Sequence, residues 1–151
     1  MNDFLKQSTS FSCGATALKN CLTALGIVSS EETIREQAGT TKAKGTSPEG
    51  LKKAIKYYDC EYDEIKTENP SAFLVRLARG LKKGKVFIVL TDHEEHWISL
   101  IEYKARKFVT IDPEEKQYLE KHLTGKQLVD WCKNFNKKKY YTYFYAIKIN
   151  P

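Results

Sequence analysis

Residues 7–26 read QSTSFSCGATALKNCLTALG, and the remaining chain can be arranged around the helix that this stretch predicts. Its apolar residues recur at intervals of three and four, at Ala15, Leu18, Cys21, Leu22 and Leu25. Such spacing gives a helix one apolar face. Gly26 follows at the position of a left-handed C-terminal cap. We therefore expect the helix to begin at or beside Cys13, with the thiol in its first turn.

Three further helices are predicted before residue 85. Each has a start signal in which a capping residue precedes a glutamate or a proline, namely Ser29 with Glu32, Ser47 with Pro48 and Asn69 with Pro70. Apolar residues of helical period follow each signal, and Gly84 marks the end of the last helix. The first half of the chain is therefore predicted to be helical.

The pattern changes to short strands from Lys85 onwards. Strands are predicted at residues 86–91, 96–102 and 107–112, a further helix after Thr124, and a closing strand from Tyr141 to Ile149. Helices followed by strands indicate an α+β domain. We expect one domain over residues 1–151, in which an N-terminal helical part packs on a C-terminal antiparallel sheet as two layers, with a cleft between them.

The composition excludes several classes of protein. With 151 residues, of which 41% are hydrophobic and 29% charged, the chain is long enough to enclose one core. No apolar run approaches the roughly 20 residues that span a bilayer, and residues 1–7 show no secretory signal. We therefore expect no membrane segment and a cytoplasmic location. Four scattered cysteines without a Cys-x-x-Cys pair predict free thiols.

Two sequence patterns suggest a nucleic acid or a metal ion as a ligand, but neither is strong evidence for one. Residues 136–141 mix lysines with tyrosines in a chain of net charge +6, but such a run is more typical of a solvated helix end followed by a strand. Nucleic acid is therefore not the expected partner. His93 and His96 lie among acidic residues, yet the His-Glu-x-x-His pattern of zinc peptidases is absent, so we expect no metal and no cofactor.

Cys13 is the candidate nucleophile. Peptide dipoles at the start of a helix favour the thiolate form of a cysteine. Gly14 leaves room beside the sulfur for a substrate backbone, and the backbone N–H of Cys13 can donate to the oxygen of an attacked carbonyl. Gln7 is the candidate second donor of this oxyanion hole. Gly14 and Trp97 are the candidate substrate-binding residues.

His96 and Asp112 are the candidate base and its orienting partner. If Glu102 pairs with Arg106 across a three-residue turn, the antiparallel register places His96 directly opposite Asp112 on one face of the sheet. A change of register by one residue would place Trp97 opposite Asp112 instead. The sequence leaves both registers open.

These motifs resemble the bacteriocin-processing, double-glycine leader peptidases of the papain-like clan and their stand-alone relatives. Gln7 precedes Cys13 at the expected distance, a Cys-Gly-x-x-x-Leu segment opens a helix, an aromatic residue follows His96, and Pro113 follows Asp112. The resemblance implies a papain-like fold and a cysteine peptidase that acts on a peptide or protein. It implies that Cys13 attacks the scissile carbonyl to form a thioester, that His96 takes and returns the proton, and that Gln7 stabilises the oxyanion.

The resemblance leaves the substrate and the reaction partly open. Ser12 stands where relatives often carry an acidic residue, and no membrane helices or ATP-binding segment of a full transporter follow within the 151 residues. Leader peptides cleaved after Gly-Gly, other peptides, isopeptides and γ-glutamyl bonds all remain candidate substrates. An acyl- or peptidyl-transferase would use the same Cys-His-Asp site, and a non-catalytic peptide-binding module could share the fold.

Overall fold

The computed structural model describes residues 4, 6, 12–91, 96–114, 120–133 and 143–151. Its helices are α1 (Cys13–Ala24), α2 (Glu31–Ala38), α3 (Pro48–Tyr57), α4 (Pro70–Lys82) and α5 (Gly125–Lys133). Its strands are β1 (Glu61–Thr67), β2 (Val86–Thr91), β3 (His96–Lys104), β4 (Lys107–Ile111), β5 (Glu120–Leu123) and β6 (Phe144–Asn150). Every predicted helix and strand is confirmed within the described residues, and β1 and β5 are additional.

Helices α2, α3 and α4 begin where side-chain caps satisfy their first backbone N–H groups. Ser47 accepts a hydrogen bond from the Gly50 N–H at 3.0 Å, and Asn69 accepts one from the Ala72 N–H at 3.0 Å. The cap of α2 lies one residue later than predicted, because Ser30 rather than Ser29 accepts from the Thr33 N–H. The predicted start signals therefore locate the helices to within one residue.

All strands pair antiparallel, in the order β1-β6-β2-β3-β4-β5. The closing strand β6 inserts between β1 and β2, so that it lies next to the edge strand β1. The two strands that were not predicted, β1 and β5, form its edges. The described part of the chain is therefore a mixed α+β fold built on one antiparallel sheet.

The sheet is covered on both faces, so the prediction of two layers is wrong. Along β2, Val86, Ile88 and Leu90 pack in the cluster that contains α1, α2 and α3, whereas Phe87 and Val89 pack with α4 and α5. Every residue of β2 is buried as a result. The N-terminal helical part packs on the sheet as predicted, with α1 to α3 on one face and α4 on the opposite face.

Helix α1 is fixed to the central strands by two buried hydrogen bonds. The Ser99 hydroxyl donates to the Ala17 carbonyl at 2.6 Å, and the Cys21 thiol donates to the Phe87 carbonyl at 3.3 Å. Ala17 lies about one helical turn beyond Cys13, and Ser99 lies three residues beyond His96. These bonds therefore set the position of the start of α1 relative to the start of β3.

Candidate active site

Cys13 is the first residue of α1, as the sequence predicts. The first backbone N–H groups of a helix have no partner within it, and the positive end of the helix dipole lies at this end, where Cys13 stands. The residue is 9% exposed, and its side chain hydrogen-bonds to the His96 imidazole. The Cys13 sulfur therefore lies both at the start of a helix and beside the basic imidazole of His96.

His96 is the first residue of β3, and Asp112 directly follows β4. His96 Nε2 lies 2.7 Å from Asp112 Oδ1, and both side chains are largely buried. The same Oδ1 accepts the backbone N–H of Glu114 at 2.9 Å, which holds the carboxylate in place. Because Nε2 is bonded to Asp112, Nδ1 is the ring nitrogen that this carboxylate leaves unoccupied. The structure thus brings together Cys13, His96 and Asp112 in the predicted order.

The register that joins His96 to Asp112 differs from the predicted one. Glu102 lies opposite Val109 rather than Arg106, because β3 and β4 are joined by only two residues, Ala105 and Arg106. Both adopt positive φ, at 53° and 63°, as the tight hairpin turns that match strand twist require. The three-residue turn is therefore wrong, and His96 is not directly opposite Asp112.

A β-bulge between Leu100 and Glu102 restores the shared face. Beyond the bulge Ser99 lies opposite Ile111, so continuing this register places Ile98 opposite Asp112. His96 is two residues from Ile98 and shares its face of the sheet. Without the extra residue, Asp112 would point to the other face, because a slip of one residue reverses every side chain. The bulge therefore makes the His96–Asp112 hydrogen bond possible.

The electrostatics favour a charged imidazole. Burial alone lowers the pKa of His96, but hydrogen bonds to Asp112 and Cys13, with the charges of both, raise that pKa from 6.5 to about 10. Burial likewise raises the pKa of Asp112, but the hydrogen bond to His96 and the imidazolium charge outweigh it and leave that pKa below its ordinary value. At neutral pH the pair is therefore an imidazolium and a carboxylate.

Two further side chains lie beside the imidazole and were not predicted. Glu114 Oε2 lies 3.3 Å from His96 Nδ1, although the Glu114 side chain is 68% exposed. The Trp131 ring of α5 lies 6.3 Å from the imidazole ring, centroid to centroid, with the planes at 37°. Glu114 could have been suspected from its position two residues after Asp112. Trp131 could not, since in the sequence it only extends the apolar face of a helix.

Gly14 and Trp97 lie beneath the site rather than open to a cleft. A Cβ on Gly14 would come within 2.8 Å of Thr46 Cβ and 3.1 Å of Trp97 Cδ1, so the absent side chain makes room for these neighbours. Trp97 is 4% exposed, and its indole N–H donates to the Thr46 carbonyl at 3.2 Å. This burial favours a supporting role for both residues over the predicted substrate contact.

The other predicted site features fall partly outside the structure. Gln7, the candidate oxyanion donor, and His93, part of the weighed metal pattern, lie outside the described residues. Among the residues that are described, no three His, Cys, Asp or Glu side chains cluster in a way that could hold a metal ion. Within the same ranges, no helix has both the length and the apolar character that a bilayer crossing requires.

The remaining cysteines are buried free thiols with environments unlike that of Cys13. Burial raises the pKa of Cys21 and of Cys132 to about 12, and burial with the nearby Asp59 charge raises that of Cys60. No charged partner stabilises their thiolates within the described residues. Cys13 is thus distinguished by its imidazole.

Solved structures share this fold. The peptidase domain of Streptococcus ComA, a bifunctional ABC transporter involved in quorum sensing, has a TM-score of 0.75 at 18% identity, covering 100% of this chain and 99% of that one. A double glycine motif protease from an AMS/PCAT transporter, in complex with the leader peptide, has a TM-score of 0.71 at 16% identity, with coverages of 97% and 89%. A Bacillus anthracis protein described as a C39-like peptidase has a TM-score of 0.71 at 15% identity, with coverages of 99% and 94%.

Family membership follows from the sequence match. No curated protein matches the chain. The model of the Peptidase C39 family matches residues 2–124, a range that includes Gln7, Cys13, His96 and Asp112. The match spans most of the chain and agrees with the double-glycine peptidase folds found among the solved structures. The resemblance read from the motifs is confirmed, and the chain belongs to the peptidase C39 family.

Proposed function

We propose that this chain is a working cysteine peptidase in which Cys13 is the nucleophile, His96 the acid and base, and Asp112 the orienting carboxylate. The observation that carries the proposal is the single imidazole held between the Cys13 sulfur and Asp112, at 2.7 Å from the latter. An imidazolium beside a sulfur at a helix start is an arrangement that stabilises a thiolate. A buried carboxylate at the far ring nitrogen fixes the tautomer and orientation of the ring.

The proposed reaction proceeds in two steps. The Cys13 thiolate attacks the scissile carbonyl, and His96 gives its proton to the departing amine, which leaves a thioester on the sulfur. His96 then takes a proton from water, which attacks the thioester and releases the second product. We propose that the backbone N–H of Cys13 stabilises the oxyanion, with Gln7 as the second donor from the family resemblance.

We propose a peptide as the substrate, with cleavage after Gly-Gly as the first candidate. One structural relative is a double glycine motif protease solved with its leader peptide. In this chain the Cys13 residue is only 9% exposed, which leaves little room around the sulfur and favours a small residue such as glycine at the scissile bond. We further propose that residues 1–151 act as one cytoplasmic domain, on the grounds of the sequence alone.

The proposal is tested by mass spectrometry of peptides incubated with the protein. A set with Gly-Gly at a central position should be cleaved after the second glycine, whereas matched peptides with Val-Val should not. Cys13→Ala should bind the same peptides without cleaving them, because the sulfur bonds to carbon only as the reaction proceeds. Equal turnover by wild type and Cys13→Ala would refute the proposal that the chain is a peptidase with Cys13 as its nucleophile. Products extended by an added amine would show a transferase instead.

A further inference from the structure

A pocket of about 170 Å³, distant from Cys13, is lined by an excess of cations. It lies between α4, β1 and the end of β6, and we call it the cationic pocket. Its charged residues are Arg76, Arg79, Lys83, Lys85, Lys148 and Asp63. Lys85 precedes β2, whereas Thr91, at the other end of β2, pairs with His96. The strand separates the two sites by roughly 20 Å.

Among the residues that the structure describes, most of these cations have no carboxylate partner. Lys148 Nζ lies 3.4 Å from Asp63 Oδ2, which also accepts the Asn150 amide at 3.1 Å. Within the described ranges, no carboxylate lies at ion-pair distance from Arg76, Arg79, Lys83 or Lys85. Of the five cations that line the pocket, Lys148 is thus the one paired with the lining carboxylate. The pocket therefore carries an excess of positive charge, and several of its cations are exposed to solvent.

A second, larger pocket of about 620 Å³ shows that lysine density alone does not produce this excess. It contains Lys52, Lys53 and Lys56. Lys52 Nζ lies 2.8 Å from a Glu64 carboxylate oxygen and 3.6 Å from one of Glu49. Lys56 pairs with Glu61. Two of its three lysines are therefore paired with neighbouring carboxylates, and this pocket serves as a reference.

Helix electrostatics explain only part of the cationic pocket. Arg79 lies in the last turn of α4 and Lys83 is its C-cap, where cations offset the helix dipole. Arg76 lies in the middle of α4, and Lys85 and Lys148 come from other elements. Three parts of the chain therefore direct cations into one pocket. Gly80, which also lines the pocket, packs closely on the core, since a Cβ there would lie 2.6 Å from the Phe87 ring.

We propose that the cationic pocket binds a small phosphate-bearing anion, of which a free diphosphate group is the best match. Two arginines three residues apart on one helix can each present a planar fork of N–H donors, which suits the oxygens of a phosphate. The lysines supply point charges around them. The net charge of the pocket exceeds what one carboxylate would balance, so a multiply charged anion is favoured. The proposal is independent of the peptidase activity.

Calorimetric titration with pyrophosphate, at low ionic strength and without divalent metal, tests the site. The wild-type protein should bind one equivalent, and Arg76→Gln and Arg79→Gln should each lower the association constant about tenfold or more. Arg79→Lys keeps the charge but loses the fork, so it should fall between Arg79→Gln and the wild type. Lys53→Gln, which removes one charge from the larger pocket, should leave the affinity unchanged.

The fold of each variant is checked at the distant site. The rate at which iodoacetamide alkylates Cys13 should equal that of the wild type, because the pocket lies at the far end of β2. Absence of pyrophosphate binding by the wild-type protein would overturn the proposal. An equal loss of affinity in Lys53→Gln and Arg79→Gln would also overturn it, since diffuse surface charge rather than a built pocket would then account for the binding.

Discussion

Replacing Asp112 with asparagine should lower the pKa of the His96 imidazole. The wild-type pKa is raised to about 10, and the largest contribution that raises it is the hydrogen bond to Asp112, 2.7 Å away, followed by the hydrogen bond to Cys13 and the charge of Asp112. Asparagine keeps the shape and removes the charge. An adjacent opposite charge is typically worth roughly 1–3 pKa units, or about 1.4–4 kcal/mol in favour of the imidazolium. Burial, which opposes the charge, remains in the variant.

The measurement is a proton NMR titration of the imidazole C–H signals from pH 5 to 11, with His96→Gln used to assign the resonance. His122 provides an internal reference, because it is an exposed histidine paired with Glu120 and lies outside the site. A His96 pKa that is the same in wild type and Asp112→Asn would refute the reasoning, since Asp112 would then not be the source of the raised value.

The same shift has a consequence for stability. A group whose pKa is raised on folding contributes stability that is complete below its unfolded value, here 6.5, and is lost as the pH rises through its folded value of about 10. The free energy of unfolding of the wild type, measured with urea, should therefore decrease between about pH 7 and 10. In Asp112→Asn the free energy of unfolding should fall over a lower pH range. The difference in this free energy between the wild type and Asp112→Asn should therefore be smaller at pH 10.5 than at pH 7.

Three further outcomes are expected. Limited iodoacetamide should label Cys13 before Cys132, because burial raises the pKa of Cys132 to about 12. If peptide mapping finds Cys132 modified first, the assignment of Cys13 as the nucleophile is contradicted. Gly14→Ala should lower the free energy of unfolding by about 1–3 kcal/mol in urea, because its Cβ would lie 2.8 Å from Thr46 Cβ; unchanged stability would show that the contact relaxes freely. Glu114→Gln should lower the His96 pKa by less than Asp112→Asn does, since solvent screens this exposed carboxylate, and an equal shift in the same NMR titration would contradict that ranking.

The elements that the sequence located are those with strong local signals. The Ser47-Pro48 and Asn69-Pro70 starts require only neighbouring residues, and they fixed α3 and α4. Strands β1 and β5 were missed because they are edge strands with little apolar content. In Glu61–Thr67, Ile65 is the single buried residue, so the alternation that marks a strand is absent. Strand β1 pairs with β6, which lies far away in the chain. Strand β5 pairs with β4, which already forms a hairpin with β3.

The number of layers was missed for a different reason. An amphipathic helix shows which of its own faces is buried, but not which face of a sheet it covers. The signal that was available lies in Val86–Thr91, where an unbroken apolar run rather than alternation indicates a strand buried on both sides. A sheet with such a central strand needs helices on both faces. That requirement assigns α4 and α5 to the face that α1 to α3 leave open.

The approach of His96 to Asp112 was expected on one face, and it occurs there for reasons that the sequence does not display. The shorter turn at Ala105 and Arg106 moves the partner of Glu102 by three positions, which alone would reverse the face of Asp112. The bulge before Glu102 takes back one position, so the net displacement is two and the side chains again share a face. A turn and a bulge are each set by a few residues, yet the site depends on their sum. The geometry of the candidate triad is therefore specified by an irregularity at Ile101 as much as by the residues that form it.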